Sequence, residues 1–286
     1  MNINWDQIQQ GGNFDERPEF LRQLHGGDIN DVYLIKADQA LWVVKQNVKH
    51  QYPKMLEKEF HAMEFLNKKS PLTTPLMHSH FSDEKYQYLL MEYIEEGRTT
   101  HDAQERLGIQ LAQQHKISNS CYGWTEDNYI GSLKQINTQK STWSDFYAEE
   151  RILYLSKKAF DLKLLIQSDI KKLENFCSKL NEIIPVEKPA LLHGDLWGGN
   201  YFISIKNDPV IYDPAIYFGH REMDIAMTKL FGGFSSAFYE GYQATFPLSH
   251  NWKDRMAFLQ LYPNLVHLIL FGTGYKPAID SVIKQF

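Results

Sequence analysis

Period-two alternation of apolar and polar residues is confined to the first third of this chain, and helical spacing takes over after Glu95-Glu96-Gly97-Arg98-Thr99-Thr100. That division points to a small sheet-bearing unit followed by a larger helical one. Asp31 to Lys36 and Ala40 to Gln46 read as two strands joined by a short turn around Ala37-Asp38-Gln39. Pro53 suits the first turn of a helix reaching about Asn67, with Leu56, Phe60 and Met63 at helical spacing and Glu59 on or near the buried face. Pro71 and Pro75 end that segment, and a further strand pair is expected at Met77 to Phe81 and Gln87 to Tyr93. Beyond it, helices are expected over 102–116, 143–167 and 169–184, interrupted later by short apolar strands at 190–192, 201–203 and 210–212. The fold class is therefore α+β and bilobal, with a small β-rich N-terminal lobe over 1–94 and a larger, mostly helical C-terminal lobe over 95–286.

With 286 residues, of which 43% are hydrophobic and 14% aromatic, the chain can bury a sizeable core. A formal net charge of −5 argues against nucleic-acid binding, which draws its affinity from clustered Lys and Arg. The pairs Lys68-Lys69, Lys157-Lys158 and Lys171-Lys172 are scattered and read as solvated helix faces. Cys121 and Cys177 form no C-x-x-C pair, so reduced structural thiols are expected. There is no bilayer-length apolar run and no basic-then-apolar start, so a soluble cytoplasmic protein without membrane partners is expected.

Chemistry concentrates in two segments, Leu191-Leu192-His193-Gly194-Asp195-Leu196-Trp197-Gly198-Gly199-Asn200 and Val210-Ile211-Tyr212-Asp213-Pro214. Apolar strand residues flank both and would hold the loops rigid. A carboxylate, an amide oxygen five positions on, and a second carboxylate after the next strand match a phosphoryl-transfer site: Asp195 as base, with Asn200 and Asp213 as Mg²⁺ ligands. Oxygen donors of this kind suit Mg²⁺, which keeps waters and substrate phosphates in its shell. Taken alone, His193-Gly194-Asp195 could equally be a polar turn.

The nucleotide half of such a site is read in the first lobe. Lys45 ends an apolar strand and Glu59 faces inward from the next helix, the arrangement of a phosphate-binding lysine and its carboxylate partner; a solvated strand end and a surface carboxylate are the plain alternatives. Gly26 and Gly27, before the first strand, are candidates for backbone contacts to the phosphates of ATP, although no Lys-Ser or Lys-Thr follows as in a Walker A loop. Met91, Glu92, Tyr93 and Ile94, between the lobes, are candidates to hold the base through backbone groups, with Met91 packing on the ring. His78 and His80 read as a surface pair, His115 as a satisfied core histidine, and His193 as a structural group bonding loop backbone.

Three longer stretches are more specific: His193 to Asn200 with Trp197 inside it; Asp213-Pro214-Ala215-Ile216-Tyr217-Phe218-Gly219-His220-Arg221-Glu222-Met223-Asp224-Ile225-Ala226-Met227; and Asn128-Tyr129-Ile130-Gly131 followed by Trp143-Ser144-Asp145-Phe146-Tyr147-Ala148-Glu149-Glu150-Arg151. In these, and over most of its length, the chain resembles the fructosamine (ketosamine) kinase family, within the aminoglycoside-phosphotransferase-like group. The resemblance implies a protein-kinase-like fold and ATP- and Mg²⁺-dependent phosphorylation of a sugar hydroxyl on a small-molecule or protein-bound ketosamine, by a monomer or weak homodimer. It also implies Asp195 as base, Lys45 as phosphate lysine with Glu59 as its partner, and Trp197 as a wall of the sugar site. Arg221 and Glu222 are either substrate contacts or part of an ion-pair set bracing the loop, with bracing favoured for Asp224. Where part of the family carries a cysteine switch, this chain has Asp28, Ile29 and Asn30. The alternatives are a kinase of the same fold acting on an aminoglycoside, choline or another sugar, and a non-catalytic nucleotide-binding module.

Overall fold

A computed structural model describes residues 3–24 and 29–286. The first region comprises α1 (Trp5–Gly12), β1 (Glu19–Leu24), β2 (Asp31–Ala37), β3 (Ala40–Val48), α2 (Met55–Lys69), β4 (Met77–Ser82) and β5 (Tyr86–Glu92). Its strands form one antiparallel sheet in the order β1-β2-β3-β5-β4. Alternation assigns the two faces. Tyr33, Ile35, Val44, Tyr88 and Leu90 pack with Ile8 of α1 and with Phe14. Val43, Leu89 and Met91 point the other way, onto Leu56 and Phe60 of α2. Lys45 lies two residues beyond Val43, so the same alternation turns it toward α2 and the space below the sheet.

The second region contains α3 (His101–Gln114), the hairpin β6 (Asn128–Ile130) and β7 (Leu133–Gln135), α4 (Trp143–Tyr147), α5 (Tyr154–Asp161), α6 (Gln167–Ser178) and α7 (Leu180–Ile183). It continues through β8 (Ala190–Leu192), β9 (Tyr201–Ile203), β10 (Pro209–Ile211), β11 (Tyr217–Gly219), α8 (Glu222–Leu230), α9 (Ser236–Thr245), α10 (Trp252–Leu259), α11 (Leu261–Phe271) and α12 (Lys276–Ile283). β9 pairs with β10 and β8 with β11, both antiparallel. One large apolar cluster runs through this region, including Leu107, Leu111, Phe146, Leu191, Ile216 and Leu265. The architecture is the expected α+β, bilobal, protein-kinase-like one.

Several elements differ from expectation for identifiable reasons. α1 carries only Ile8 and Gly12 to the interior, and β1 is an edge strand with a mostly exposed pattern, so neither leaves a clear apolar period. The helix expected over 143–167 is interrupted by a π-helical turn, Ala148–Leu153, and ends at Asp161 ahead of Lys163, whose φ is +60°. His78, expected at the surface, is exposed there, and its ring also hydrogen-bonds through Nε2 to the Gly12 carbonyl at 2.8 Å and stacks on Phe14. Among the described residues no helix is long and apolar enough to cross a membrane.

Candidate active site

β8 delivers the loop that starts at His193, and β10 delivers the one around Asp213. The two are tied across: Tyr212 N–H donates to the Asn200 carbonyl at 3.1 Å, and Ala215 N–H to the His193 carbonyl at 2.9 Å. Gly194 sits at φ +84°, where a Cβ would strike the Ala215 carbonyl, so the approach of the two loops requires glycine there. His193 donates from Nε2 to the Tyr212 carbonyl at 3.0 Å and accepts the Asp195 N–H on Nδ1 at 3.3 Å. Its expected structural role is what this geometry displays.

Asp224, on α8, holds the first loop from behind. Its two oxygens accept the backbone N–H groups of His193 and Gly194 at 2.8 and 2.9 Å. His115 Nε2 donates to Oδ2 at 3.0 Å, and Tyr242 O–H closes the chain on His115 Nδ1 at 2.7 Å. Burial opposes ionisation of Asp224, but His115, His193 and the Gly194 amide outweigh it and hold its carboxyl below the usual range.

Lys45, only 4% exposed, lies between Glu59 at 2.5 Å and Asp213. Burial alone would lower the lysine, yet the two carboxylates outweigh it and keep the ammonium charged. Burial pushes Glu59 up to about 7, with Lys45 opposing and Asp213 adding. Asp213 adopts φ +55°, a left-handed conformation uncommon outside glycine. Asn200 donates from Nδ2 to the Asp195 carbonyl at 2.8 Å and to Asp195 Oδ2 at 3.0 Å. Burial pushes Asp195 up to about 7, the Asn200 hydrogen bond opposing and the charges of Asp213 and Asp224 adding. A carboxyl poised near neutrality suits proton transfer.

The donor set also fits Mg²⁺. Asn200 uses its Nδ2 on Asp195, leaving Oδ1 as the open acceptor, and Asp213 engages Lys45 through Oδ1, leaving Oδ2. One amide oxygen and one carboxylate suit a hard cation that completes its shell with phosphates and water. Among the described residues no three His, Cys, Asp or Glu side chains gather into an all-protein metal cage.

Other expected contacts divide. Met91 is buried on the Lys45 face beside Val43. The Glu92 and Tyr93 amides donate to the Leu76 and Leu41 carbonyls at 2.9 and 3.3 Å, so among these amides Ile94 N–H is the one without a main-chain acceptor among the described residues. Trp197 is 40% exposed, edge-on to Phe231 with centroids 6.2 Å apart. Gly199 lies under its ring, where a Cβ would collide. The structure does not bring Arg221 or Glu222 to this mouth as free groups. Arg221 is spent on Glu187, at 2.7 and 2.9 Å, and on the Phe246 and Pro247 carbonyls. Glu222 is fully buried and paired with Arg255 Nε at 2.9 Å. Of the two readings these residues had, bracing is the one that fits this geometry. Gly26 and Gly27 lie outside the described residues.

Behind the Asp213 loop sits a set of side chains whose role sequence reading missed: Asn128, Gln135, Asn137, Arg151 and Tyr262. Asn128 and Arg151 belong to one of the three family-like stretches, yet buried amides leave no periodic signal of what they hold.

Comparison with known proteins points the same way. The fructosamine kinase family model matches residues 5–286. A probable ketoamine kinase of Synechocystis is 36% identical over 286 residues, 98% of this chain and 94% of that protein. The chloroplastic protein-ribulosamine 3-kinase of Arabidopsis thaliana is 34% identical, covering 91% of this chain and 80% of that protein. A crystal structure of a candidate fructosamine-3-kinase from Thermobifida fusca superposes with TM-score 0.88 at 29% identity, over 99% of this chain and 98% of that one.

Proposed function

Since the chain belongs to the fructosamine kinase family, we propose that it transfers the γ-phosphoryl group of ATP to a sugar hydroxyl of a ketosamine, free or protein-bound, in the cytoplasm. The observation that carries the reading is the meeting of Lys45, Glu59 and Asp213 from two lobes, with Asp195 and Asn200 alongside.

In this mechanism Asp195 orients the attacking hydroxyl and accepts its proton, and Asn200 fixes the Asp195 carboxylate by donating to Oδ2. Lys45 binds the phosphates, held in place by Glu59. Asn200 Oδ1 and Asp213 would hold Mg²⁺, which would offset negative charge on the phosphate oxygens. The backbone of Glu92 to Ile94 receives the adenine edge, with Met91 behind the ring, and Gly26 and Gly27 serve the phosphates. Trp197 walls the acceptor site. Arg221 and Glu222 brace α8, and with it Asp224 and the loop, rather than touching substrate. Phosphate placed on C3, the carbon next to the C2 carbonyl, can leave from the enaminol formed when C1 loses a proton; water then hydrolyses the resulting C1 imine and frees the amine, so the enzyme acts in deglycation.

The test is an acceptor panel scored by ADP release. Fructosyl-, ribulosyl- and erythrulosyl-amines are expected to stimulate it, whereas aminoglycosides and choline are not. Stimulation by the second group alone would move the chain to another acceptor class, and ADP binding without turnover on any acceptor would make it a binding module.

A further inference from the structure

Arg151 is fully buried, and among the described residues it has no carboxylate partner. Its guanidinium lies over the rings of Phe146, Tyr217 and Tyr262 at 4.5, 4.3 and 5.2 Å. It donates to the Ile136 and Glu150 carbonyls and, at 2.8 Å, to Asn137 Oδ1. An interior cation without a counter-charge is costly. Ring faces and carbonyls offset part of that cost, so its retention calls for a reason.

The hydrogen bonds supply one. Arginine only donates, so Asn137 must present its oxygen to Arg151 and its Nδ2 elsewhere. That Nδ2 reaches Asn128 Oδ1 at 3.0 Å, and Asn128 Nδ2 then donates to the Ile216 carbonyl at 2.9 Å. Gln135 Nε2 joins Asn128 Oδ1 at 2.7 Å and the Ala215 carbonyl at 3.1 Å, while its Oε1 accepts Tyr262 O–H at 2.5 Å. Every amide in the chain is thereby oriented; Asn137 Nδ2 also donates to the Glu126 carbonyl at 3.1 Å, and the two outputs toward the Asp213 loop are the carbonyls of Ala215 and Ile216. These residues come directly after Asp213 and Pro214, and Ala215 N–H ties to His193. A non-glycine residue at φ +55° is strained and persists where its surroundings over-determine it. Pro214 constrains the backbone next to Asp213, and the network anchors Ala215 and Ile216 beyond it.

We propose that Arg151, Asn137, Asn128, Gln135 and Tyr262 are positioning residues that hold Asp213 in its left-handed conformation and thereby set the reach of its carboxylate. The proposal rests on the metal-binding role of Asp213 in the proposed mechanism.

The test is a cycle on the full-length protein. Gln135→Met keeps length and removes both donated bonds; Tyr262→Phe removes one bond with minimal change of shape. For Gln135→Met, kcat is expected to fall and half-saturating Mg²⁺ to rise by about 10–100-fold, with the acceptor KM within about twofold. The Mg²⁺ needed for ADP to raise the melting temperature should increase in parallel, a readout independent of turnover. On an Asp213→Asn background, Gln135→Met should add no further loss of kcat. If Gln135→Met does not fold, Tyr262→Phe carries the same cycle with a several-fold effect. Normal kcat and Mg²⁺ dependence in the folded variants, or effects that multiply with Asp213→Asn, would overturn the proposal. Asp213→Asn retaining full activity would overturn both this and the phosphotransfer role of Asp213, whereas an inactive Asp213→Asn beside an unaffected Gln135→Met would overturn this proposal alone.

Discussion

Asp195→Asn is expected to lower kcat by about 10²–10⁴ while leaving MgADP affinity unchanged and the protein folded. The amide keeps an oxygen for the hydrogen bond from Asn200 but cannot accept the substrate proton. The same substitution carries a stability signature that a structural role would not give. Burial pushes the Asp195 carboxyl up to about 7, above its value of about 3.9 in an unfolded chain. The folded state is therefore penalised as pH rises from that lower value, and fully above the higher one. In EDTA and without nucleotide, the variant should melt higher than the parent at pH 8, with the difference gone near pH 4. A variant that loses both activity and stability at pH 8 would mark Asp195 as a structural anchor. In the parent, kcat/KM should decline on the acid side as Asp195 takes up its proton.

Asp224→Ala is expected to have the largest effect on the fold. It removes a buried carboxylate that accepts two backbone N–H groups and His115, leaving all three donors unpaired inside the protein. Breaking one partner of such a buried set costs about 3–5 kcal/mol, against total stabilities of about 5–15 kcal/mol. The melting temperature should fall by about 10 °C. What remains folded should have little activity, because the loop bearing Asp195 loses its tether. The pH dependence runs opposite to that of Asp195. The folded-state carboxyl is held below its unfolded value, so its contribution is complete above about pH 4 and is lost as pH falls through the lower value. Urea melts of parent and Asp224→Asn should differ most at pH 7 and converge toward pH 3. A constant difference across that range would mean that the charge of Asp224 plays no part.

The parts of the site legible from sequence were those fixed by short-range rules. Lys45 was legible as the end of an apolar strand, and its place two residues beyond the partly buried Val43 is why it faces α2. Spacing around Asp195, Asn200 and Asp213 carried the second lobe, since rigid strands leave few geometries for the loops between them. Glu59 came from helical period alone. Residues that sequence could not assign depended on contacts far along the chain. Arg221 and Glu222 border the catalytic segment, but their partners, Glu187 and Arg255, lie more than thirty residues away on either side. The network that reaches Ala215 and Ile216 joins a hairpin of two three-residue strands, a π turn and α11, and its amides look like any polar loop residue. β6, β7 and β11 have three residues each, as do β8, β9 and β10; the latter were legible because the motif loops mark their ends, and the former have no such marker. Asp224 is the exception among distant contacts, since a carboxylate opening the helix after the loop has few uses other than bracing it.

The central claim, phosphorylation of a ketosamine on its sugar, is tested most directly by locating the phosphate on the product. Ribulosyl-lysine or fructosyl-lysine is incubated with MgATP and the enzyme, and the product is read by phosphorus NMR with through-bond coupling to the sugar protons. Coupling to the proton on C3, followed by slow release of phosphate and free lysine, is the predicted result. ADP formed without phosphate on the sugar, or phosphate found only on an aminoglycoside or choline acceptor, would contradict the account.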